Sequence, residues 1–166
     1  MGSFDQGSLG TGMGLISDMG INDLGVTEYY SEEILGNILK RKKSDDITIV
    51  HNNISSLPRR ITDLQTELSM LKFEPDVIGL SETKITTKVN TYYNPSLPSY
   101  NYYQSMSTTN SGSEGVFIKD NLDISIRKDL DITVPGILET VWFDIKDKNR
   151  KKCTIGVSYR HPARHC

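Results

Sequence analysis

Three side chains in this sequence combine chemistry-bearing types with a setting that can aim them. Asn53 and Glu82 stand just beyond the apolar runs at 47–50 and 76–80, and Tyr159 ends a third run at 153–159. In open α/β sheets, strand ends are where reacting groups are assembled. A carboxylate such as Glu82 is a hard oxygen ligand suited to magnesium. The Asn53 amide can hold a water or a phosphate oxygen, and the Tyr159 phenol can donate to a phosphate. Together they suit metal-assisted hydrolysis of a phosphodiester, which also needs a base for the water and a group to stabilise the leaving alkoxide. Singly, each has a plainer use: Asn53 in a turn after a strand, Glu82 as a cap or ion-pair partner, Tyr159 as a half-buried aromatic with a wet hydroxyl.

The elements that must position these residues are legible around them. Residues 47–50 read as a β-branched strand. Pro58 opens a helix at a position that tolerates proline, and Ile61, Leu64, Leu68 and Leu71 recur along one face. Glu74-Pro75 closes it, because proline disfavours the α conformation in the residue before it. Residues 76–80 form the second strand, and a strand–helix–strand unit of this length requires a right-handed crossover and a parallel pair. Beyond a loop dense in proline and tyrosine, strands are predicted at 100–104, 115–119, 122–126, 139–145 and 153–159, mostly as antiparallel neighbours. Residues 146–151 read as a charged hairpin turn. Two strands and a helix followed by a meander imply one sheet of a mixed α/β sandwich.

Residues 1–26 hold seven of the thirteen glycines, interleaved with Ser, Thr and Asp, and read as a flexible leader. Gly10-Thr11-Gly12-Met13-Gly14 follows no strand and fits neither nucleotide-binding fingerprint. Ser31 then reads as an N-cap, with Glu32 and Glu33 in the first turn, Ile34, Leu35, Ile38 and Leu39 as an apolar stripe, and Lys40, Arg41, Lys42 and Lys43 at the far end. That basic run is a solvated helix end in this reading.

Asn53-Ile54-Ser55-Ser56-Leu57 and Leu80-Ser81-Glu82-Thr83 resemble the first two motifs of the exonuclease–endonuclease–phosphatase superfamily. The likeness is to the apurinic-endonuclease-like domain of LINE-type (non-LTR) retrotransposon reverse-transcriptase polyproteins. Tyr29-Tyr30-Ser31-Glu32-Glu33, Asn94-Pro95-Ser96-Leu97-Pro98, Gly115-Val116-Phe117-Ile118-Lys119, Glu139-Thr140-Val141-Trp142-Phe143-Asp144-Ile145 and Tyr159-Arg160-His161-Pro162 also look like that domain. The resemblance covers residues 27–162. It implies a four-layer α/β sandwich, magnesium as cofactor and DNA as partner. It also implies that Glu82 binds the metal, with Asn53 beside it, while Asn53 and Tyr159 position water, catalytic groups or phosphate.

Two departures qualify this. Gly112-Ser113-Glu114 stands where the family has a glycine pair followed by a small or apolar residue, and serine adopts positive φ less cheaply than glycine. The family also continues into a second sheet carrying Gly-Asp-x-Asn and ends with Ser-Asp-His. Neither occurs here, and Asp147-Lys148-Asn149 lies in the charged turn. The expectation is therefore a truncated copy: the first mixed sheet with its helices, the second sheet largely missing, residues 163–166 a tail, and no nicking by the isolated chain. Two alternatives stand beside it: an interaction module that binds a protein partner through the exposed sheet face, or an incomplete record of an active enzyme.

Composition bounds the rest. Hydrophobic residues at 36% and charged residues at 24% suit a globular domain. A net charge of −2 gives no global basic field, which disfavours a non-specific nucleic-acid binder. Cys153 and Cys166 form no disulfide framework and no metal-ligand spacing. No run approaches a membrane span, and the N-terminus lacks a signal peptide's basic start and apolar centre. Gln6 stands where a myristoylation site needs Ser or Thr. An intracellular protein, nuclear or cytoplasmic, is expected. His51 reads as a strand residue, and His161 and His165 as part of the final turn and tail.

Overall fold

In the computed structural model the described residues form two packed β-sheets, with a helix against the first. The structure describes residues 14–15, 34, 37–38, 46–71, 73–86, 89, 92–105, 112–134, 136–146 and 151–161. Most of the expected 1–26 leader, most of the helix expected from Ser31, the turn holding Asp147-Lys148-Asn149, and the 163–166 tail lie outside them.

The first sheet has the order β1 (Gly14–Leu15), β2 (Ile49–Asn53), β3 (Val77–Ser81), β5 (Gly115–Lys119) and β4 (Tyr100–Gln104). As the crossover argument requires, β2 and β3 are parallel, in register from Ile49 opposite Val77 to Asn53 opposite Ser81. That register brings Asn53 to within one residue of Glu82. Between them runs α1 (Leu57–Met70), with proline in its first turn and Leu57 and Leu64 buried. It stops short of Glu74-Pro75, and Pro75 is pinned instead by its carbonyl, which accepts from Tyr100 Oη at 2.6 Å.

The second sheet is built on β8 (Leu138–Lys146), which pairs along its length with β9 (Lys152–Arg160) and on its other edge with β6 (Asp123–Ile126) and β7 (Thr133–Val134). Here the structure departs from the single meander read from sequence. The reason is geometric: β5 already pairs with β3 on one edge and β4 on the other, so the strands after it cannot extend the first sheet beside it. They stack on it. Val77, Val116 and Ile118 of the first sheet pack against Val141, Phe143, Ile145, Ile155 and Val157 of the second. Gly79 allows this approach at the centre, since a Cβ there would stand 3.0 Å from Val157 Cγ2.

The other face of the first sheet is covered by α1 and its flanking loops, through Leu57, Leu64, Ile78, Leu80, Ile85 and Phe117. The first sheet is thus buried on both sides, and every residue of β3 is buried. The uncovered face expected on the first sheet is not there. Exposed apolar residues lie instead along the edge strands and turns of the second sheet, at Ile126, Ile132, Val134 and Ile137. Among the described residues, no helix is long and apolar enough to cross a membrane.

Candidate functional site

Asn53, Glu82 and Tyr159 meet at one carboxylate oxygen. Asn53 Nδ2 donates to Glu82 Oε1 at 3.1 Å, and Tyr159 Oη donates to the same oxygen at 3.5 Å. Asn53 closes β2, and Glu82 follows the last residue of β3. Tyr159 arrives from β9 of the second sheet, so both sheets contribute. The Asn53 amide is held at both ends, because its Oδ1 accepts the Ser55 N–H at 3.2 Å. This turn fixes which way the amide faces and presents Nδ2 to Glu82. Glu82 Oε2 takes no hydrogen bond from the described residues.

Backbone strain gathers at this site. Of the five non-glycine residues with positive φ among the described residues, four surround it: Ser55, Glu82, Lys84 and Ser113. Such conformations cost about 1–3 kcal/mol each and persist where surrounding contacts over-determine them. The contacts here are explicit. Thr83 N–H donates to Ser113 O and Lys84 N–H to Gly112 O, both at 3.0 Å, and Leu57 N–H donates to Thr83 O at 2.9 Å. The hydroxyls of Thr83 and Ser113 share a 2.7 Å hydrogen bond, and Ile85 N–H donates to Ser113 Oγ at 3.2 Å. The Gly112-Ser113-Glu114 departure noted in the sequence therefore falls on the segment that braces Glu82. Ser113 does adopt positive φ, at 61°.

Behind the three converging residues lies a buried acidic layer that the sequence did not reveal as such. Glu114 and Glu139 are both fully buried. Glu139 accepts the Ser113 N–H at 2.7 Å and lies 3.5 Å from His161 Nε2. The His161 ring meets Tyr159 edge-on at 4.9 Å. Glu114 accepts from Ser105 Oγ at 2.5 Å, and its other oxygen has no hydrogen-bond partner. Placing a glutamate where the family has a small or apolar residue was the one available signal, and it does not by itself indicate burial. His51 lies within β2, opposite Gly79 and away from this layer.

Burial pushes the Glu114 carboxyl up to about 7; Ser105 opposes this and the nearby Glu139 carboxylate adds to it. The folded chain then keeps a proton that the unfolded chain has already released. The stability Glu114 contributes is full below the ordinary carboxylate range and is lost as pH rises to about 7. Asp144 has the opposite sign: Lys152, then Thr154 and Arg127, hold its carboxyl down at about 2, so its contribution is lost as pH falls towards that value. Glu114→Gln should flatten the decline on the neutral side. Urea midpoints for the two proteins across that window provide the check, and parallel curves would refute the assignment.

Burial and the Glu82 carboxylate raise the Tyr159 phenol above its ordinary value. It therefore remains a neutral donor near neutral pH. A magnesium ion would find here one hard carboxylate oxygen, Glu82 Oε2, and the remaining lone pair of Asn53 Oδ1. No group of three or more His, Cys, Asp or Glu among the described residues could hold a metal. That sparse set fits magnesium, which keeps several waters and completes its shell with substrate phosphates rather than a protein cage.

No protein-family model and no curated protein matches the chain. Solved structures do. The APE2 catalytic domain of Xenopus laevis matches with 18% identity over 68% of this chain and 44% of its own, at a TM-score of 0.45. The AP endonuclease LMAP of Leishmania major matches with 12% identity over 78% of this chain and 48% of its own, at a TM-score of 0.53. This chain spans less than half the length of either. At that identity the second likeness bears on the fold alone, and the fold is a mixed α/β sandwich of the AP endonuclease type.

Proposed function

We propose that this chain supplies the metal-binding and phosphate-facing part of a magnesium-dependent DNA endonuclease site, of the kind that accompanies reverse transcriptase in non-LTR retrotransposons. The observation that carries this reading is the convergence of Asn53 and Tyr159 on Glu82 Oε1, which leaves Oε2 for an ion. DNA as substrate is supported by the fold likeness to a protein described as an AP endonuclease. The retrotransposon context is supported by the quoted segments that agree with that family in order and spacing.

In this reading Glu82 ligates magnesium, which when bound neutralises phosphate charge. Asn53 locks the carboxylate in place, and Tyr159, whose single O–H faces Glu82 here, would turn it to a phosphate oxygen when substrate binds. The 166 residues contain neither Gly-Asp-x-Asn nor Ser-Asp-His, the motifs that supply the base, the acid and a phosphate contact in the family the chain resembles. A second reading, a non-catalytic interaction module, is favoured by the exposed apolar residues Ile126, Ile132, Val134 and Ile137 on the second sheet.

Magnesium titration followed at the Glu82 side-chain carboxyl carbon by NMR tests the metal assignment. The wild-type resonance is expected to shift saturably, and Glu82→Gln should remove the binding seen at neighbouring Asn53. An unresponsive Glu82, or Asn53 shifts that survive in Glu82→Gln, would rule out this site.

A further inference from the structure

We infer that Glu139 is a positioning residue for Glu82, acting from the second sheet through the 112–113 loop. The inference takes Glu82 as the metal ligand proposed above. Glu139 acts through a chain of hydrogen bonds.

The chain starts at the fully buried Glu139 carboxylate, which accepts the Ser113 N–H at 2.7 Å. That bond holds Ser113 at φ 61° beside Gly112 at φ 96°. The carbonyls of Ser113 and Gly112 accept the N–H groups of Thr83 and Lys84, respectively, at 3.0 Å each. Ser113 Oγ adds bonds to Thr83 Oγ1 and Ile85 N–H. Four hydrogen bonds thus brace the residues immediately after Glu82, whose own φ is 55°. They add to the Leu57 N–H bond to Thr83 O in holding a glutamate in a region that costs a side-chain-bearing residue energy.

The other side of Glu139 is equally constrained. His161 Nε2 lies 3.5 Å from its Oε1, and a Cβ on Gly112 would come within 2.7 Å of the His161 ring and 3.1 Å of Glu139 Oε2. The loop, the carboxylate and the imidazole are therefore packed in contact, and glycine is required at 112 by space as well as by φ. Glu139 also pairs across the sheet with Tyr159. One buried carboxylate in β8 thereby sets the relation between the strand bearing Tyr159 and the turn bearing Glu82, on opposite sheets.

A buried acid with this many constraints could serve global stability alone, so the test must separate the two roles. Amide hydrogen exchange in the full chain does so, with β3 residues Val77–Ser81 as the internal reference. In Glu139→Ala, exchange at Thr83 and Lys84 is expected to accelerate by about tenfold or more while β3 changes by less than about threefold, the pattern of local opening. Glu139→Gln, whose amide oxygen can accept the same Ser113 N–H, should restore protection. If Glu139→Ala does not fold, Glu139→Asp reads the same amides, with the charge kept and the oxygen withdrawn by one methylene. Unchanged Thr83 and Lys84 amides, acceleration spread equally over β3, or equal loss in the Gln variant would each overturn the inference. Magnesium titration of the wild type separates this from the reading beneath it. A Glu82 carboxyl that never responds removes the metal assignment, whereas a response equally strong in Glu139→Ala with undisturbed amides removes the positioning role.

Discussion

Incubated with supercoiled plasmid and magnesium, the 166-residue chain is expected to leave the plasmid no more nicked than a Glu82→Ala control does. Glu114 and Glu139 cannot stand in for a catalytic base, because both are fully buried. The His161 side chain is 8% exposed and lies 3.5 Å from Glu139. Absence of general acid–base assistance costs about 10²–10⁴ in rate. A single carboxylate also holds magnesium weakly until substrate phosphates complete the shell. In the reading proposed above both deficits apply, and nicking at the level of the control is the expected result. Nicking that requires magnesium and disappears in Glu82→Ala would overturn this, and would mean that residues within these 166 supply the base.

The second large effect is on stability. Phe117→Ala should lower the unfolding free energy by about 3–5 kcal/mol, the range for removing a buried phenylalanine. Phe117 is fully buried on the helix side of the first sheet. Tyr102 lies against it at 4.8 Å and Tyr100 meets its edge at 6.5 Å. These rings are anchored on β4 and cannot collapse into the space, so the cavity should persist. Given a total stability of about 5–15 kcal/mol for a typical domain, this variant would sit near unfolding. Tyr92→Ala is the matched control: Tyr92 is 76% exposed, and the expected change is within about 0.5 kcal/mol. Urea denaturation of both reads the difference, and a Phe117→Ala midpoint close to that of Tyr92→Ala would contradict the packing described here. β5 also leads directly from the Gly112–Glu114 segment, so the loosened strand should carry its disturbance to the residues that brace Glu82.

Much of the first sheet could be read from the residues themselves. The strands at 100–104 and 115–119 appear where their β-branched and aromatic runs place them, and the parallel pairing of β2 and β3 follows from a helix-length crossover. From that register the adjacency of Asn53 and Glu82 follows as well, since parallel neighbours end on the same side. These are consequences of local periodicity and of the limited ways a short connection can run, and they need no knowledge of the rest of the molecule.

The allocation of β6 to β9 to a second sheet was decided only by the tertiary structure. Alternation along Glu139, Val141, Phe143 and Ile145 says that a strand has an inner face, but not which sheet that face meets. The answer lies in the packing of Val141, Phe143 and Ile145 on Val77, Val116 and Ile118 of the first sheet. The bracing of Glu82 was equally hidden. Ser113 and Glu139 are 26 residues apart, and a glutamate that anchors a buried N–H is written with the same letter as one in solvent. What distinguishes them is desolvation and the geometry of donors brought in from distant segments, and those exist only once the two sheets have packed.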